Sequence, residues 1–355
     1  MTDDAPPEPD RAGEAPHPRH AARLFGQEAA EAAFLAAWNA GRPHHGWLLT
    51  GPQGVGKATL AWRIARFLLT DPPARAETLD PPPGHPALSR IAALSEPGLM
   101  LIRRPWDEKA KRLATQITVD AVRRLGAFFA LSAGGRRVVV VDPADDLNPA
   151  AANAILKLLE EPPAGATLLL VAHRPAAVLP TIRSRCRVLT LAPLGEDALR
   201  RAIEQAGGEA AADAIPLAGG SVGAALALAD GGAEAYAALV ALLARSPMDR
   251  ARARALADAR AGRGGAEQLD CVLSALARLM HRAARTGLLG PPEDAAEAEA
   301  ATLARLAPHD AAAREWAATA QAVAARAAHA RAVNVDPAAI VWDALGAVDA
   351  QARRV

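Results

Sequence analysis

The run GPQGVGKA, from Gly51 to Ala58, carries the residue types that hold a phosphate chain. In the spacing G-x-x-x-x-G-K-S/T, glycines bring backbone N–H groups onto phosphate oxygens, the lysine reaches the terminal phosphates and the closing hydroxyl ligates Mg²⁺. Gly51, Gly54, Gly56 and Lys57 fill the phosphate positions, with Pro52, Gln53 and Val55 between them, but Ala58 stands where the hydroxyl belongs. Thr59 comes one residue later, where a helical step of about 100° turns its side chain away from the metal position. The pattern predicts a loop that accepts a nucleotide and is badly equipped to hydrolyse it.

A second chemical element has the same character. An apolar strand ending in an acid positions Mg²⁺ in P-loop ATPases, and a following Glu orients the attacking water. Here RRVVVVD supplies Asp142, but Pro143 follows it. Asp145 and Asp146, in ADDLNP, read as solvated turn carboxylates rather than as a substitute base. The segment IRSRCR (Ile182 to Arg187) is a third candidate. An extended backbone would point Arg183, Arg185 and Arg187 to one side. Such a set is either a solvated charged edge or a source of an arginine finger, whose guanidinium stabilises phosphate charge at a neighbour's site.

The elements that would position these groups are legible from period and punctuation. HHGWLLT (His44 to Thr50) reads as a buried strand leading into the loop, and Leu60, Ile64, Phe67 and Leu68 recur at helical spacing behind it. GLMLIRR (Gly98 to Arg104) suggests a strand, and Ile117 to Leu131 a helix. RRVVVVD and ATLLLVA (Ala166 to Ala172) are the near-continuous apolar runs of strands covered on both faces. Between them, Asn148 is the expected N-cap, Pro149 lies in the first turn and Pro162-Pro163 ends the helix. Strands alternating with helices after a phosphate loop predict an α/β domain with a parallel sheet. Asp71 to Pro86 is a breaker-rich loop, and beyond Pro193 alanine-rich helical patterns dominate. The expected division is a disordered tail over 1–20, a P-loop α/β domain over 21–193, a helical lid over 194–235 and a helical domain over 236–355.

Composition limits the partners. Forty basic residues oppose 39 acidic ones for a net charge of +1, so the overall balance advertises no nucleic acid. Cys186 and Cys271 match no zinc spacing and read as reduced, partly buried residues. No apolar run is long enough to span a bilayer and the N-terminus is not a secretory signal, which predicts a soluble, cytoplasmic protein without membrane partners.

GPQGVGKATLA, VVVVDPADDLNPAAANAILKLLEEPP, TIRSRCR and GGSVGAALAL, taken together from about Leu24 to Leu228, resemble the delta-prime subunits of bacterial DNA polymerase III clamp loaders, which are AAA+ proteins. The resemblance implies an AAA+ domain, a small lid and an all-α C-terminal collar that oligomerises. It implies that Arg185, set by Ser184 and Cys186, is presented to the ATP site of an adjacent subunit. In the related motor subunits the lid pattern G-S-x-R-x-A carries a nucleotide-sensing arginine, and Gly223 holds that position here. Ala172 and His173 stand where a Thr or Asn sensor is usual.

The implied function is therefore that of a non-hydrolysing partner in loading the sliding clamp onto primed DNA, a component of the polymerase III holoenzyme. The implied partners are the motor (tau/gamma) subunits, the delta subunit, the clamp and primer–template DNA. ATP would be bound weakly or without hydrolysis, through Gly51 to Thr59 and Asp142. Asn153 and Lys157, on one helix face, either couple nucleotide state to DNA or are ordinary solvated residues. Many relatives insert a four-cysteine zinc module after the P-loop helix, but Asp71 to Pro97 has no cysteine and His85 alone cannot hold the metal, so no zinc is expected. His44 and His45 read as structural. The alternatives are a catalytically active AAA+ ATPase, either a loader motor subunit or a DNA-remodelling motor, and a small-molecule P-loop kinase.

Overall fold

The computed structural model describes residues 7–11, 15–108, 111–130, 135–209, 214–258 and 265–355. These fall into two compact units: residues 1–208 with 220–223, and residues 209–219 with 224–355.

The first unit is built on a parallel sheet. Its strands are β1 (Gly46–Thr50), β2 (Leu99–Ile102), β5 (Arg137–Val141), β6 (Ala166–Val171) and β7 (Arg187–Thr190), in the spatial order β2-β5-β6-β1-β7. A short antiparallel hairpin, β3 (Trp106–Asp107) and β4 (Arg112–Leu113), projects after β2. β5 and β6 run at the centre with Val138, Val139, Leu168 and Leu169 inaccessible to water, because helices cover both faces.

One face carries α1 (Glu28–Asn39) and α2 (Lys57–Leu68), whose Phe34, Trp38, Leu60, Ile64 and Phe67 form a core with the outward residues of β1 and β5. A short helix, α3 (Pro86–Ala92), packs Ala87 and Ile91 on Trp62. The other face carries α4 (Val119–Ala130) and α5 (Pro149–Glu160), with Val122, Leu125, Ile155 and Leu159 against β5 and β6. Asn148 caps α5 as expected, its side chain accepting a hydrogen bond from Ala151 N–H at 2.8 Å, with Pro149 in the first turn. α6 (Pro180–Arg183) and α7 (Glu196–Gln205) complete the unit.

The described part of the segment expected as a disordered tail is instead packed. Arg103 donates to Asp10 at 2.6 Å and to Glu8 at 3.0 Å, and Arg19 also reaches Glu8 at 2.6 Å. His17 is buried, 2.9 Å from Asp10 and edge-on to the Trp62 ring. Local composition hides this network because Arg103, which ties it to the sheet, lies more than 90 residues from Glu8 and Asp10.

The second unit is helical: α8 (Ala214–Ala218), α9 (Val222–Ala227), a π-helical turn at Leu228–Gly232, α10 (Ala233–Leu243), α11 (Arg250–Asp258), α12 (Gly265–Leu289), α13 (Glu299–Leu306), α14 (Asp310–Ala332) and α15 (Pro337–Ala352). The first two residues of α9 belong to the α/β unit. Trp316, fully buried on α14, donates its indole N–H to Leu306 O at 2.6 Å. At the foot of α13, buried Glu299 accepts from Tyr236 Oη at 2.6 Å and from Arg282 Nε at 2.5 Å. No helix among the described residues is long and apolar enough to cross a membrane.

Candidate functional site: a phosphate loop and an exposed arginine

All strands of the sheet are parallel, so the loops after their C-terminal ends converge on one edge, the usual ligand-binding edge of an open α/β sheet. The loop after β1 is the glycine run, Asp142 follows β5, and Ala172 and His173 follow β6. Because β6 lies between β1 and β5, His173 is delivered between the phosphate loop and Asp142.

The loop has the backbone shape its glycines allow. Gly51, Gly54 and Gly56 have φ of 138°, 79° and 101°, a region that costs other residues on the order of 1–2 kcal/mol. Gly56 is the N-cap of α2 and offers no capping side chain, which leaves the first N–H groups of α2 without side-chain acceptors. Gln27, which sequence reasoning missed, clamps the loop. Its amide donates to Val55 O at 3.1 Å and to Ala192 O at 2.7 Å, joining the loop to the segment that follows β7. Gln27 stands 28 residues before its loop partner and carries no local signal of the role.

The two charged groups of the site are buried, and burial shifts both away from their ordinary pKa values. Lys57 is buried and turned back onto its own loop, donating to Gly51 O at 2.7 Å and Pro52 O at 2.5 Å. Burial lowers its pKa to about 8, opposed by the charges of Asp142 and Asp145. Asp142 is only 3% exposed. Burial, reinforced by repulsion from Asp10 and offset by Lys57, pushes its carboxyl up to about 8. Ala58 does not face an open metal position: it packs against Trp62, Ala87 and Ile91. Phosphate fits the glycine cradle and the uncapped start of α2, whereas Ala58 offers no hydroxyl to ligate Mg²⁺. Gln53 is exposed on the loop and Thr59 half-buried on α2.

Asp145 corrects the reading of solvated turn carboxylates. Its side chain is buried, accepts from His173 N–H at 2.9 Å and pairs with Arg174 at 3.3 Å. It ties the turn after β5 to the end of β6, which occupies the lone pairs a base would need. Asp146 pairs with Arg104 at 3.2 Å. His173, half-buried, has its pKa lowered by burial and by Lys57, and its Nδ1 has no hydrogen-bond partner among the described residues. Ala172 is fully buried.

The turn at residues 220–223 also touches the loop. Val222 N–H donates to Gly54 O at 2.9 Å, and a Cβ on Gly54 would stand 2.1 Å from Ser221 Oγ. Gly223 lies beside them, its N 3.1 Å from that same Cβ position.

The three arginines of IRSRCR do not share one face, because Pro180 starts a one-turn helix that includes Arg183. Arg187 opens β7 and lies over the Trp47 ring at 5.6 Å. Arg185 sits in the turn between them. It donates to Thr181 O at 3.1 Å and pairs with Glu160 at 2.9 Å. Ser184 donates to Thr181 O at 3.1 Å, and Cys186 packs into the core beneath α5, where burial pushes its thiol up to about 12. Both flanking residues therefore position the turn. His44 and His45 stack on each other and bond Gly46 O and Leu159 O, the structural role expected of them. Asn153 and Lys157 lie on the solvated face of α5. Among the described residues no three His, Cys, Asp or Glu side chains cluster as metal ligands.

A central parallel sheet with a phosphate loop, a strand-end acid and a following helical region defines a P-loop α/β protein. Residues 26–195 match the family described as "DNA polymerase III, delta subunit". The chain is 40% identical over 184 residues to the DNA polymerase III subunit delta′ of Pseudomonas aeruginosa, covering 50% of this chain and 53% of that protein. It is 36% identical over 205 residues to the delta′ subunit of Escherichia coli K12, covering 56% and 58%. With the gamma/tau subunit of Mycobacterium bovis it shares 35% over 170 residues, 47% of this chain and 28% of that one. Over its α/β unit the chain is similar to the DNA polymerase III delta′ subunits. It spans little more than half the length of the delta′ relatives named here.

Proposed function

We propose that the chain is the delta′ subunit of a DNA polymerase III clamp loader, a non-hydrolysing AAA+ partner that completes a neighbouring ATP site in trans. The observation that carries this reading is the contrast between its two arginine- and phosphate-related sites. Its own loop has Ala58 in place of the metal-binding hydroxyl, while Arg185 stands half-exposed on a turn that Ser184 and Cys186 help to position. A guanidinium presented in this way stabilises charge on a transferring phosphoryl group across a subunit boundary. Residues 194–235 would form the lid and 236–355 the collar that joins the tau/gamma motors and the delta subunit. The assembly would act in the cytoplasm on the sliding clamp and on primer–template DNA, through salt-sensitive phosphate contacts. Gly51 to Thr59 would hold ATP weakly and without turnover.

The test is steady-state ATP turnover of a loader reconstituted from the same organism's subunits, stimulated by clamp and primed DNA. The isolated chain is expected to be silent. Arg185→Ala is expected to lower turnover of the assembled complex at least about tenfold without disrupting assembly, about the lower range for an arginine supplied in trans. Turnover by the isolated chain, with no effect of Arg185→Ala in the complex, would make the chain a motor instead.

A further inference from the structure

The N-terminal segment, described over residues 7–11 and 15–20, packs on the same side of the α/β unit as Asp142. Two contacts place it there. The His17 ring meets the Trp62 ring edge-on at 5.7 Å, and Trp62 shares an apolar cluster with Ala58, so this contact falls beside the first turn of α2. Asp10 accepts from Arg103 at 2.6 Å, one residue beyond the Ile102 carbonyl that accepts from the Asp142 N–H at 2.9 Å. Asp10 and His17 also pair with each other at 2.9 Å, which closes a bridge from α2 to the end of β2. After burial itself, the charge of Asp10 does most to raise the Asp142 pKa, ahead of the opposing effect of Lys57. The bridge is anchored on its outer side: Glu8 pairs with both Arg103 and Arg19, and Arg19 Nε donates to Ala92 O at 3.0 Å. In this arrangement Asp142 is buried, and Lys57 donates to Gly51 O and Pro52 O instead of standing free for a phosphate.

We infer that the segment carrying Glu8, Asp10 and His17 is an autoinhibitory strap, and that its seated position and a nucleoside triphosphate on the phosphate loop exclude each other. The inference rests on the reading that Gly51 to Thr59 hold ATP, and it names what makes that hold weak. Two features give the segment this effect. The Asp10 side chain is wholly buried and acts on Asp142, so a polyphosphate arriving at the loop meets a negative charge in a medium that screens it poorly. The seating is also reversible, because Glu8, Arg19 and Arg103 are partly exposed and their ion pairs can be exchanged for water. A ligand that binds only the open form has its affinity divided by the fraction of chains that are open. An open fraction of about 10% or less, usual for a minor state, weakens nucleotide binding about tenfold or more.

The experiment is a fluorescence titration of the full chain with N-methylanthraniloyl-ATP, in the parent, in Arg103→Gln, in Glu8→Gln with Asp10→Asn, and in Arg103→Gln with Lys57→Ala. Both strap-releasing forms are expected to bind at least about tenfold more tightly than the parent, and Lys57→Ala is expected to abolish the gain. Equal affinity in the first three forms, lost with Lys57→Ala, would overturn the strap and leave the loop a nucleotide site. No binding in any form would overturn the nucleotide reading and the strap with it. A gain confined to Glu8→Gln with Asp10→Asn would show that the Asp10 charge alone opposes nucleotide, which also overturns the strap. The parent chain supplies a test that does not depend on how a variant folds. Saturating ATP is expected to accelerate amide exchange at Arg11 and Arg19, whose N–H groups donate to Glu8 O at 3.2 Å and to His17 Nδ1 at 3.0 Å, while β5 and β6 keep their protection. Unchanged exchange at those two amides would overturn the inference.

Discussion

Arg185 lies 2.9 Å from Glu160, and the two side chains are 40% and 43% exposed. The pair joins the end of α5 to the turn before β7, holding the guanidinium at the surface. Exposed ion pairs of this kind are worth about 0–1 kcal/mol, so the carboxylate aims the arginine without locking it. Glu160→Gln is therefore expected to shift unfolding free energy by less than about 1 kcal/mol. In a reconstituted loader it should reduce ATP turnover by a smaller factor than Arg185→Ala does. Chemical denaturation and turnover assays check the two halves separately, and a Glu160→Gln defect as large as that of Arg185→Ala would contradict a merely orienting role.

Ala58 invites a repair that the surrounding packing opposes. Ala58→Ser restores the hydroxyl of the usual pattern, yet places it against the apolar cluster of Trp62, Ala87 and Ile91. Ala58 is half-buried, so a hydroxyl there costs less than the roughly 1–3 kcal/mol of a fully buried one without a partner. The expected outcome is a less stable α/β unit, no gain in ATP hydrolysis and no Mg²⁺-dependent increase in nucleotide affinity by calorimetry. Measurable turnover in this single variant would show that only the hydroxyl was missing.

The buried pair Lys57 and Asp142 predicts a pH profile. An unfolded aspartate loses its proton near pH 4, whereas folded Asp142 keeps it to about 8. Between those values the folded state binds the extra proton, so its stability falls as pH rises. Lys57 releases its proton at about 8, below the unfolded value near 10.4, so above pH 8 its contribution recovers as pH rises. Stability of the α/β unit should thus have a minimum near pH 8, and Asp142→Asn should flatten the decline on the acid side. Urea midpoints measured from pH 5 to 9 test the slope.

Much of the sheet was legible because its central strands are covered on both faces, and uninterrupted runs such as VVVV (Val138 to Val141) have no other soluble solution. The Asn148 cap was legible because capping is local. Contacts between distant residues were not. The composition of the first 20 residues signals disorder, whereas Asp10 and Glu8 pair with Arg103, far along the chain. Alternation in IRSRCR suggested one arginine face, but a proline at the start of α6 replaced the extended backbone with a turn. Gln27 and Asp145 were missed as structural ties for the same reason: each bonds backbone groups far along the chain.

In the helical unit, Glu299 is fully buried and accepts from Tyr236, Arg282 and the Ala295 N–H. Removing the carboxylate strands the Arg282 guanidinium and leaves the Tyr236 hydroxyl without its acceptor. Breaking one side of a buried pair costs about 3–5 kcal/mol, so Glu299→Ala should unfold this unit at markedly lower denaturant than the parent chain. Glu299→Gln keeps an acceptor for Tyr236 and should lose less. Circular dichroism at 222 nm, dominated by helix, follows the unit, and equal losses in the two variants would mean that charge, rather than hydrogen bonding, sets the cost.

Gly54 joins the phosphate loop to the turn containing Ser221 and Gly223. Its φ of 79° disfavours any side chain, and an added Cβ would stand 2.1 Å from Ser221 Oγ and 3.1 Å from Gly223 N. Gly54→Ala therefore has to displace the 220–223 turn and break the Val222 to Gly54 hydrogen bond as well as strain the loop. Backbone strain alone costs on the order of 1–3 kcal/mol. Amide exchange at Val222 should accelerate in Gly54→Ala while exchange in β5 and β6 keeps its protection. Ser221→Gly removes the nearest obstacle but not the φ penalty, so combined with Gly54→Ala it should recover only part of the lost stability. Full recovery would locate the whole cost in the clash, and none would locate it in the loop backbone.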